Sequence, residues 1–189
     1  MPTPPVEIPT RRLVLCQPDE DEAHLVLDYY RRNQGHLEPW EPARPQGFYT
    51  ESFWRERLKR NHGDLANDRA ARFFLRLKDD EGEPDDVVGS CNLTEIVRGP
   101  FQCATLGFGL CQRQEGKGLM HEALEAAIAW AWETLAVHRI QANHQPQNER
   151  SGRLLARLGF VVEGRAKDYL HIDGRWRDHV LTSKTNPSW

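Results

Sequence analysis

The stretch that decides the fold covers residues 106–159, and its centre reads Arg113-Gln114-Glu115-Gly116-Lys117-Gly118. This turn follows an apolar, strand-like segment and opens an amphipathic helix predicted over residues 119–135. Glycines allow a backbone to approach a ligand closely, and the free N–H groups at the start of a helix point towards an anion. The pattern therefore predicts a phosphate-binding turn over residues 113–118, called the phosphate turn below. Taken alone, the motif is equally explained by an ordinary strand-to-helix turn.

A second motif comes after a strand predicted over residues 139–143. It consists of Asn143 and then Asn148-Glu149-Arg150-Ser151. Asn is a favourable helix N-cap and glycine commonly follows a helix end, so a helix is predicted from Asn148 to Gly159. The pattern alone explains Asn148 as a cap and Ser151 as a polar first-turn residue, and a binding role for both is the alternative.

Other ligand-binding motifs with similar residues are incomplete. A nucleotide P-loop requires glycine where Cys111 stands and serine or threonine where Gly118 stands. The glycine pattern of a dinucleotide-binding fold is absent as well. His121-Glu122 begins like a zinc motif, but the second histidine position holds Glu125.

The composition is typical of one ordinary soluble domain. The chain has 189 residues, 39% hydrophobic and 28% charged, and its net charge of −3 argues against nucleic-acid binding. No apolar run reaches the roughly 20 residues that span a bilayer, and the N-terminus does not resemble a secretory signal. The four cysteines form no CxxC pair, which favours buried, reduced thiols over disulfides or metal ligands. A cytoplasmic protein is expected.

The periodicity predicts an α/β fold with a mixed, largely antiparallel sheet flanked by helices. Predicted helices cover residues 19–33, 50–61, 119–135 and 148–159. Predicted strands cover residues 12–15, 72–77, 87–97, 102–110, 139–143 and 160–162, and a final hairpin covers 169–182. The three strands between residues 72 and 110 are expected to form an antiparallel meander.

The connections are predicted from proline and glycine. Residues 1–9 carry four prolines and are expected to be an extended lead-in. Gly35 is expected to end the first helix, and residues 37–42 are too proline-rich for helix or central strand. Turns are expected at residues 79–84 and at Asp173-Gly174.

The order Arg-x-x-Gly-x-Gly, then Asn-x-x-Ser, then Leu-Gly-Phe resembles the GCN5-related N-acetyltransferases (GNAT). Within them, the loop Pro39-Trp40-Glu41-Pro42 and the segment Trp176-Arg177-Asp178-His179 resemble the RimJ-type ribosomal-protein-alanine N-acetyltransferases. This resemblance is weakest before Leu37 and over residues 47–86. It implies a single GNAT domain over residues 1–189 and acetyl-CoA as cosubstrate, without a metal. It also implies, as acceptor, the N-terminal alanine of the fifth small-subunit ribosomal protein.

The resemblance also assigns candidate site residues. The coenzyme-binding candidates are Phe108, Leu110, Arg113, Gln114, Gly116, Lys117, Gly118, Leu119, Met120, Asn143, Asn148 and Ser151. Asp168 is the candidate base and Ser151 the candidate acid that protonates the leaving thiolate. Trp40, Glu41 and Tyr169 are the acceptor-binding candidates.

Each assignment has a plainer alternative. Asp168 is also explained as a charge at a strand end, and Trp40 as a surface residue between prolines. A small-molecule amine acetyltransferase and a catalytically silent acyl-CoA-binding regulator remain alternative functions. The absence of heptads leaves a monomer or a weak homodimer open.

Overall fold

The computed structural model describes residues 6–78 and 86–189. Within these ranges eight strands form one sheet in the order β1-β2-β3-β4-β5-β6-β8-β7. The strands are β1 (Glu7–Pro9), β2 (Leu13–Cys16), β3 (Ala71–Leu77), β4 (Val87–Val97), β5 (Cys103–Leu110), β6 (Arg139–His144), β7 (Val161–Ile172) and β8 (Arg175–Thr185). Neighbouring strands are antiparallel except β5 and β6, which are parallel. The predicted fold class and the antiparallel meander are confirmed.

Five α-helices connect these strands in the described residues. They are α1 (Ala23–Arg32), α2 (Gln34–Leu37), α3 (Glu51–Ala66), α4 (Leu119–Trp130) and α5 (Glu149–Arg157). Short 3-10 turns cover Glu20–Glu22, Glu38–Trp40 and Gln112–Gln114, and a π-helical turn, Ala131–Leu135, extends α4. Together, α4 and its π turn span the helix predicted over residues 119–135.

The helices lie on both faces of the sheet. The ring of Phe73 on β3 meets Trp130 of α4 edge-to-face, with centroids 5.1 Å apart. The next residue, Phe74, meets Trp54 of α3 at 6.1 Å. Because adjacent residues of a strand point to opposite faces, α4 and α3 cover opposite sides of the sheet. The core is therefore two layers of side chains with the sheet between them.

Several predicted boundaries were wrong. The first helix ends at Arg32 with Asn33 as its C-cap, and Gly35 lies inside α2 instead of ending α1. The proline-rich loop contains the 3-10 turn Glu38–Trp40, which Pro39 permits because a first-turn residue needs no N–H bond. The helix predicted over 50–61 continues to Ala66.

The C-terminal strands also differ from the prediction. Strand β7 runs without a break from Val161 to Ile172, where two separate strands were expected. Two irregularities in its pairing with β8, at 162–164 and 166–170, absorb the extra residues. The predicted turn is confirmed: Asp173 and Gly174 have φ of 49° and 70°, as a tight hairpin turn requires.

Part of the predicted N-terminal lead-in is a strand. Residues 7–9 form β1, which pairs with β2 through Ile8 and Leu15. Residues 1–5 and the turn predicted at 79–84 lie outside the described residues.

All four cysteines are buried and free. Burial raises the pKa of the Cys16 thiol to about 11 and that of Cys91 to about 12, so both stay protonated at neutral pH. This agrees with the predicted buried thiols. In the described part of the chain, no helix combines the length and apolar character needed to cross a bilayer.

Candidate active site

A split in the sheet creates the candidate site. Strands β5 and β6 pair only from Cys103 to Thr105, opposite Arg139 to Gln141. Beyond these pairs β5 continues to Leu110 and β6 to His144. The edge of β5 that faces β6 therefore has no strand partner beyond Thr105 among the described residues. Its backbone groups there are available to a ligand that enters between the strands.

The phosphate turn lies where β5 leads into α4. Gly116 and Gly118 both have φ of 77°, and Gly118 is the left-handed N-cap of α4. A Cβ atom added to Gly116 would meet no protein atom within 4 Å. The backbone thus has open space above it, and the first N–H groups of α4, from Leu119 and Met120, begin the helix beside that space. This arrangement suits a bound anion.

A partly buried ion pair holds the turn against the N-terminal strands. The Arg12 guanidinium donates to the Lys117 carbonyl at 2.9 Å, and its Nε lies 2.8 Å from Glu122 Oε2. The Thr10 hydroxyl and the Arg12 backbone N–H donate to the other oxygen of Glu122, at 2.7 Å and 2.6 Å. Partial burial raises the pKa of Glu122, but the bonds from Thr10 and Arg12 outweigh it and lower the pKa to about 2.

Glu122→Gln is expected to lower the free energy of unfolding by about 2 kcal/mol at neutral pH, because the amide loses these charge-assisted bonds. The folded pKa of about 2 lies below the ordinary value of 4.5, so this stabilisation is present above about pH 4.5 and is lost as pH falls towards 2. Urea unfolding at neutral pH and near pH 3 measures the change. Glu125→Gln on the same helix is the control, since Glu125 is 64% exposed. An equal decrease in the free energy of unfolding from Glu122→Gln at both pH values would contradict this pH dependence.

Ion pairs link the phosphate turn to its neighbours. Arg113 pairs with Asp86, and the Lys117 ammonium donates to the Gln114 side chain at 2.7 Å. Glu115 pairs with Arg150 in the first turn of α5. That last pair joins the turn to α5 across the open end of the split, so both sides of the opening are tied together.

The N-terminus of α5 lies over the end of β6. Asn148 caps α5, its side-chain oxygen accepting from the Ser151 backbone N–H at 3.2 Å, which confirms the predicted cap. A Cβ atom added to Gly152 would lie 2.9 Å from the His144 ring, so α5 packs closely against β6. Ser151 is half-buried in this first turn, and its hydroxyl is not used by the cap.

The segment Pro39-Trp40-Glu41 spans the wide end of the split. Gln145, directly after β6, donates from its side chain to the Pro39 carbonyl at 3.2 Å. On the other side, Glu41 Oε1 lies 3.8 Å from where a Cβ of Gly109 on β5 would stand. The segment therefore reaches from the end of β6 to the end of β5. Trp40, in the middle of the segment, is exposed.

Tyr169 on β7 contacts the site, and Asp168 is its neighbour in the chain. The Asn143 side chain on β6 donates to the Tyr169 hydroxyl at 3.4 Å, across the intervening strand β8. Asp168 lies in the bulge of β7 with φ of 47°, and its backbone N–H donates to the Asp178 carboxylate at 3.0 Å. The Asp168 side chain is exposed.

The structure thus brings most predicted residues to one cleft. Phe108 and Leu110 lie on the unpaired part of β5, and Asn143 lies on β6 beyond its last pair with β5. Glu41, next to Trp40 in the chain, lies beside Gly109, and Tyr169 accepts a hydrogen bond from Asn143. The sequence did not predict Arg12, Arg44 or Gln145 as site residues. It also did not predict that Glu122 supports the phosphate turn. Among the described residues, no group of His, Cys, Asp and Glu side chains could hold a metal ion.

Comparison with known proteins shows the family. Residues 12–161 match the family model of the acetyltransferase (GNAT) domain, and the chain belongs to that family. The chain is 45% identical over 186 residues to the [ribosomal protein uS5]-alanine N-acetyltransferase of Escherichia coli K12, covering 98% of this chain and 94% of the relative. The family resemblance found in the sequence is confirmed.

Solved structures have the same fold. The ribosomal-protein-S5-alanine acetyltransferase from Vibrio fischeri superposes with a TM-score of 0.90 at 35% identity, covering 97% of this chain and 98% of that one. RimJ from Mycobacterium smegmatis, solved in complex with CoA-disulfide, superposes with a TM-score of 0.86 at 26% identity, covering 99% and 89%.

Proposed function

We propose that this protein transfers the acetyl group of acetyl-CoA to the α-amine of the N-terminal alanine of ribosomal protein uS5. The observation that carries the proposal is the split between β5 and β6, with both the phosphate turn that follows β5 and Glu41 beside Gly109 at its open end. Such a site has one place for a nucleotide phosphate and another for an amine. The Escherichia coli relative, named for this reaction, supplies the acceptor.

The residues present fit coenzyme A. The open space above Gly116 and the first N–H groups of α4 suit a pyrophosphate, with Arg113 and Lys117 as nearby cations. The unpaired edge of β5 at Phe108 and Leu110 offers backbone groups to a pantetheine arm, and Asn143 and Asn148 offer amides from the other side. Acetyl-CoA supplies an activated acetyl group.

The amine must lose its proton before it attacks. A free α-amine has a pKa of about 7.7–8.0, so neutralising it at pH 7 costs about 1 kcal/mol. A weak base therefore suffices, and we assign this role to the exposed Asp168, acting through water. Backbone N–H groups near Phe108 and Leu110 polarise the thioester carbonyl.

The reaction forms one bond and breaks one. The amine nitrogen bonds to the acetyl carbon, and the bond from that carbon to the coenzyme sulfur breaks with its electron pair on sulfur. Ser151 gives its hydroxyl proton to that sulfur, and the proton that the nitrogen loses as it becomes an amide passes through water to restore the serine hydroxyl. A ribosomal acceptor places the reaction in the cytoplasm.

Ser151→Ala is expected to lower kcat about a hundredfold while leaving acetyl-CoA affinity nearly unchanged. The fold should persist, because the α5 cap uses the backbone N–H of residue 151 and not its hydroxyl. Steady-state kinetics and calorimetry measure the two effects. Ser52→Ala, in the first turn of α3, is the matched control. A wild-type kcat in a folded Ser151→Ala protein would leave this serine with a structural role only.

The proposed acceptor can be tested in cells. The chain is expressed in an Escherichia coli strain that lacks its own uS5-alanine acetyltransferase, and the intact mass of uS5 is measured. The proposal predicts that N-terminal acetylation returns, and that the Ser151→Ala variant fails to restore it. Unacetylated uS5 in the presence of well-folded wild-type protein would contradict the proposal.

A further inference from the structure

The Arg44 side chain is held firmly beside Glu41 at the open end of the cleft. Its guanidinium lies 4.2 Å from the ring centre of Phe48 and 4.8 Å from that of Tyr30. These rings belong to the core, since Tyr30 stacks on Trp54 with centroids 4.8 Å apart. Arg44 is thus fixed by a ring of α1 and a ring of the turn before α3, and not by solvent, with 17% of its side chain exposed.

Arg44 pairs with only one of the two carboxylate oxygens of Glu41. Glu41 Oε2 forms an ion pair with the Arg44 guanidinium. The other oxygen, Oε1, is the one near Gly109 on β5. A carboxylate can accept several hydrogen bonds, so the oxygen towards β5 stays able to accept a bond from a ligand in the cleft.

We infer that Arg44 is a positioning residue, which fixes the Glu41 carboxylate so that Oε1 receives the protonated α-amine of the acceptor. This inference rests on the proposed function. An α-amine arrives mostly protonated at neutral pH and carries three N–H donors. Glu41 binds it at the wide end of the split before it loses a proton.

The chemistry of arginine suits this role better than that of lysine. Its planar group stacks on aromatic rings while its edge donates to a carboxylate, whereas the lysine ammonium is a flexible point charge. Arg44→Lys should keep the charge but lose the fixed direction. It is therefore expected to recover acceptor binding only in part.

The test uses kinetics with a peptide that begins with a free alanine. Arg44→Gln is expected to raise KM for the peptide about tenfold, as is typical when one partner of a contacting pair is lost, with KM for acetyl-CoA unchanged. Glu41→Gln should raise the same KM. Combining the two should add little to Glu41→Gln alone, because Arg44 acts through Glu41. Arg31→Gln is the matched control. Arg31 donates to the backbone carbonyl of Tyr49, the residue after Phe48, and does not contact Glu41.

The outcomes separate this inference from the proposed function. If the wild-type protein does not acetylate the peptide, the proposed function is wrong and the inference is wrong with it. Two results with an active wild-type protein would overturn only the inference. One is a normal peptide KM in Arg44→Gln. The other is a rise in peptide KM from Arg44→Gln that is just as large when Glu41→Gln is already present. Thermal unfolding checks each variant. Should Arg44→Gln fail to fold, the same cycle with Arg44→Lys decides between the two results.

Discussion

Gly116→Val is expected to weaken acetyl-CoA binding at least about a hundredfold while the chain stays folded. The valine side chain would fill the open space above the phosphate turn, where Gly116 now has φ of 77° and no protein atom within 4 Å of a Cβ position. It would also strain the left-handed backbone by about 1–2 kcal/mol. Losing two hydrogen bonds to a charged phosphate, at about 1.5–3 kcal/mol each, gives a loss of this size. Isothermal calorimetry with acetyl-CoA measures it.

Gly174→Val is the control that separates the effect of backbone strain from the effect of blocking the coenzyme site. Gly174, at the tip of the β7–β8 hairpin, has φ of 70° and equally open space around a Cβ position. Both variants should lose similar thermal stability, but only Gly116→Val should lose coenzyme affinity. Near-normal acetyl-CoA binding by a folded Gly116→Val protein would show that the phosphate turn does not bind the pyrophosphate.

The protein is expected to acetylate a peptide with a free N-terminal alanine at least about a hundredfold faster than the same peptide with a blocked terminus and an internal lysine. Neutralising a lysine amine, with a pKa near 10.4, costs over 4 kcal/mol at pH 7, against about 1 kcal/mol for an α-amine. The candidate base, Asp168, is exposed on the β7 bulge. Comparing kcat/KM for the two peptides gives the ratio directly.

A small amine such as spermidine is the informative third substrate. It carries no N-terminal alanine, so the proposed acceptor site should turn it over no faster than the lysine peptide. Equal activity on the alanine peptide and on either other substrate would contradict the N-terminal specificity and favour a small-molecule or lysine acetyltransferase.

Local sequence patterns predicted the parts of the fold and site that depend on neighbouring residues. The left-handed glycines of the phosphate turn and the Asn148 cap are set by short-range backbone chemistry, so the motif alone located them. The meander followed from short turns between alternating segments. The long helix after Gly118 followed from its apolar periodicity.

The remaining features depend on contacts between distant segments. The split between β5 and β6 is a property of strand pairing, and nothing in either strand indicates where their ladder stops. The continuous β7 arises because bulges opposite β8 absorb the extra residues. Arg12 and Glu122 stand far apart in the chain, so only the fold shows that they support the phosphate turn. Glu41 and Arg44 are three residues apart, but their pairing depends on one aromatic ring from α1 and another from the turn before α3.

The most direct test of the central claim uses purified protein, acetyl-CoA and ribosomal protein uS5 with a free N-terminal alanine. Tandem mass spectrometry of the product locates every acetyl group. We expect one acetyl group, on the alanine α-amine, and none when acetyl-CoA is omitted. Acetylation of lysine side chains alone, or no transfer by folded protein that binds acetyl-CoA, would contradict this expectation.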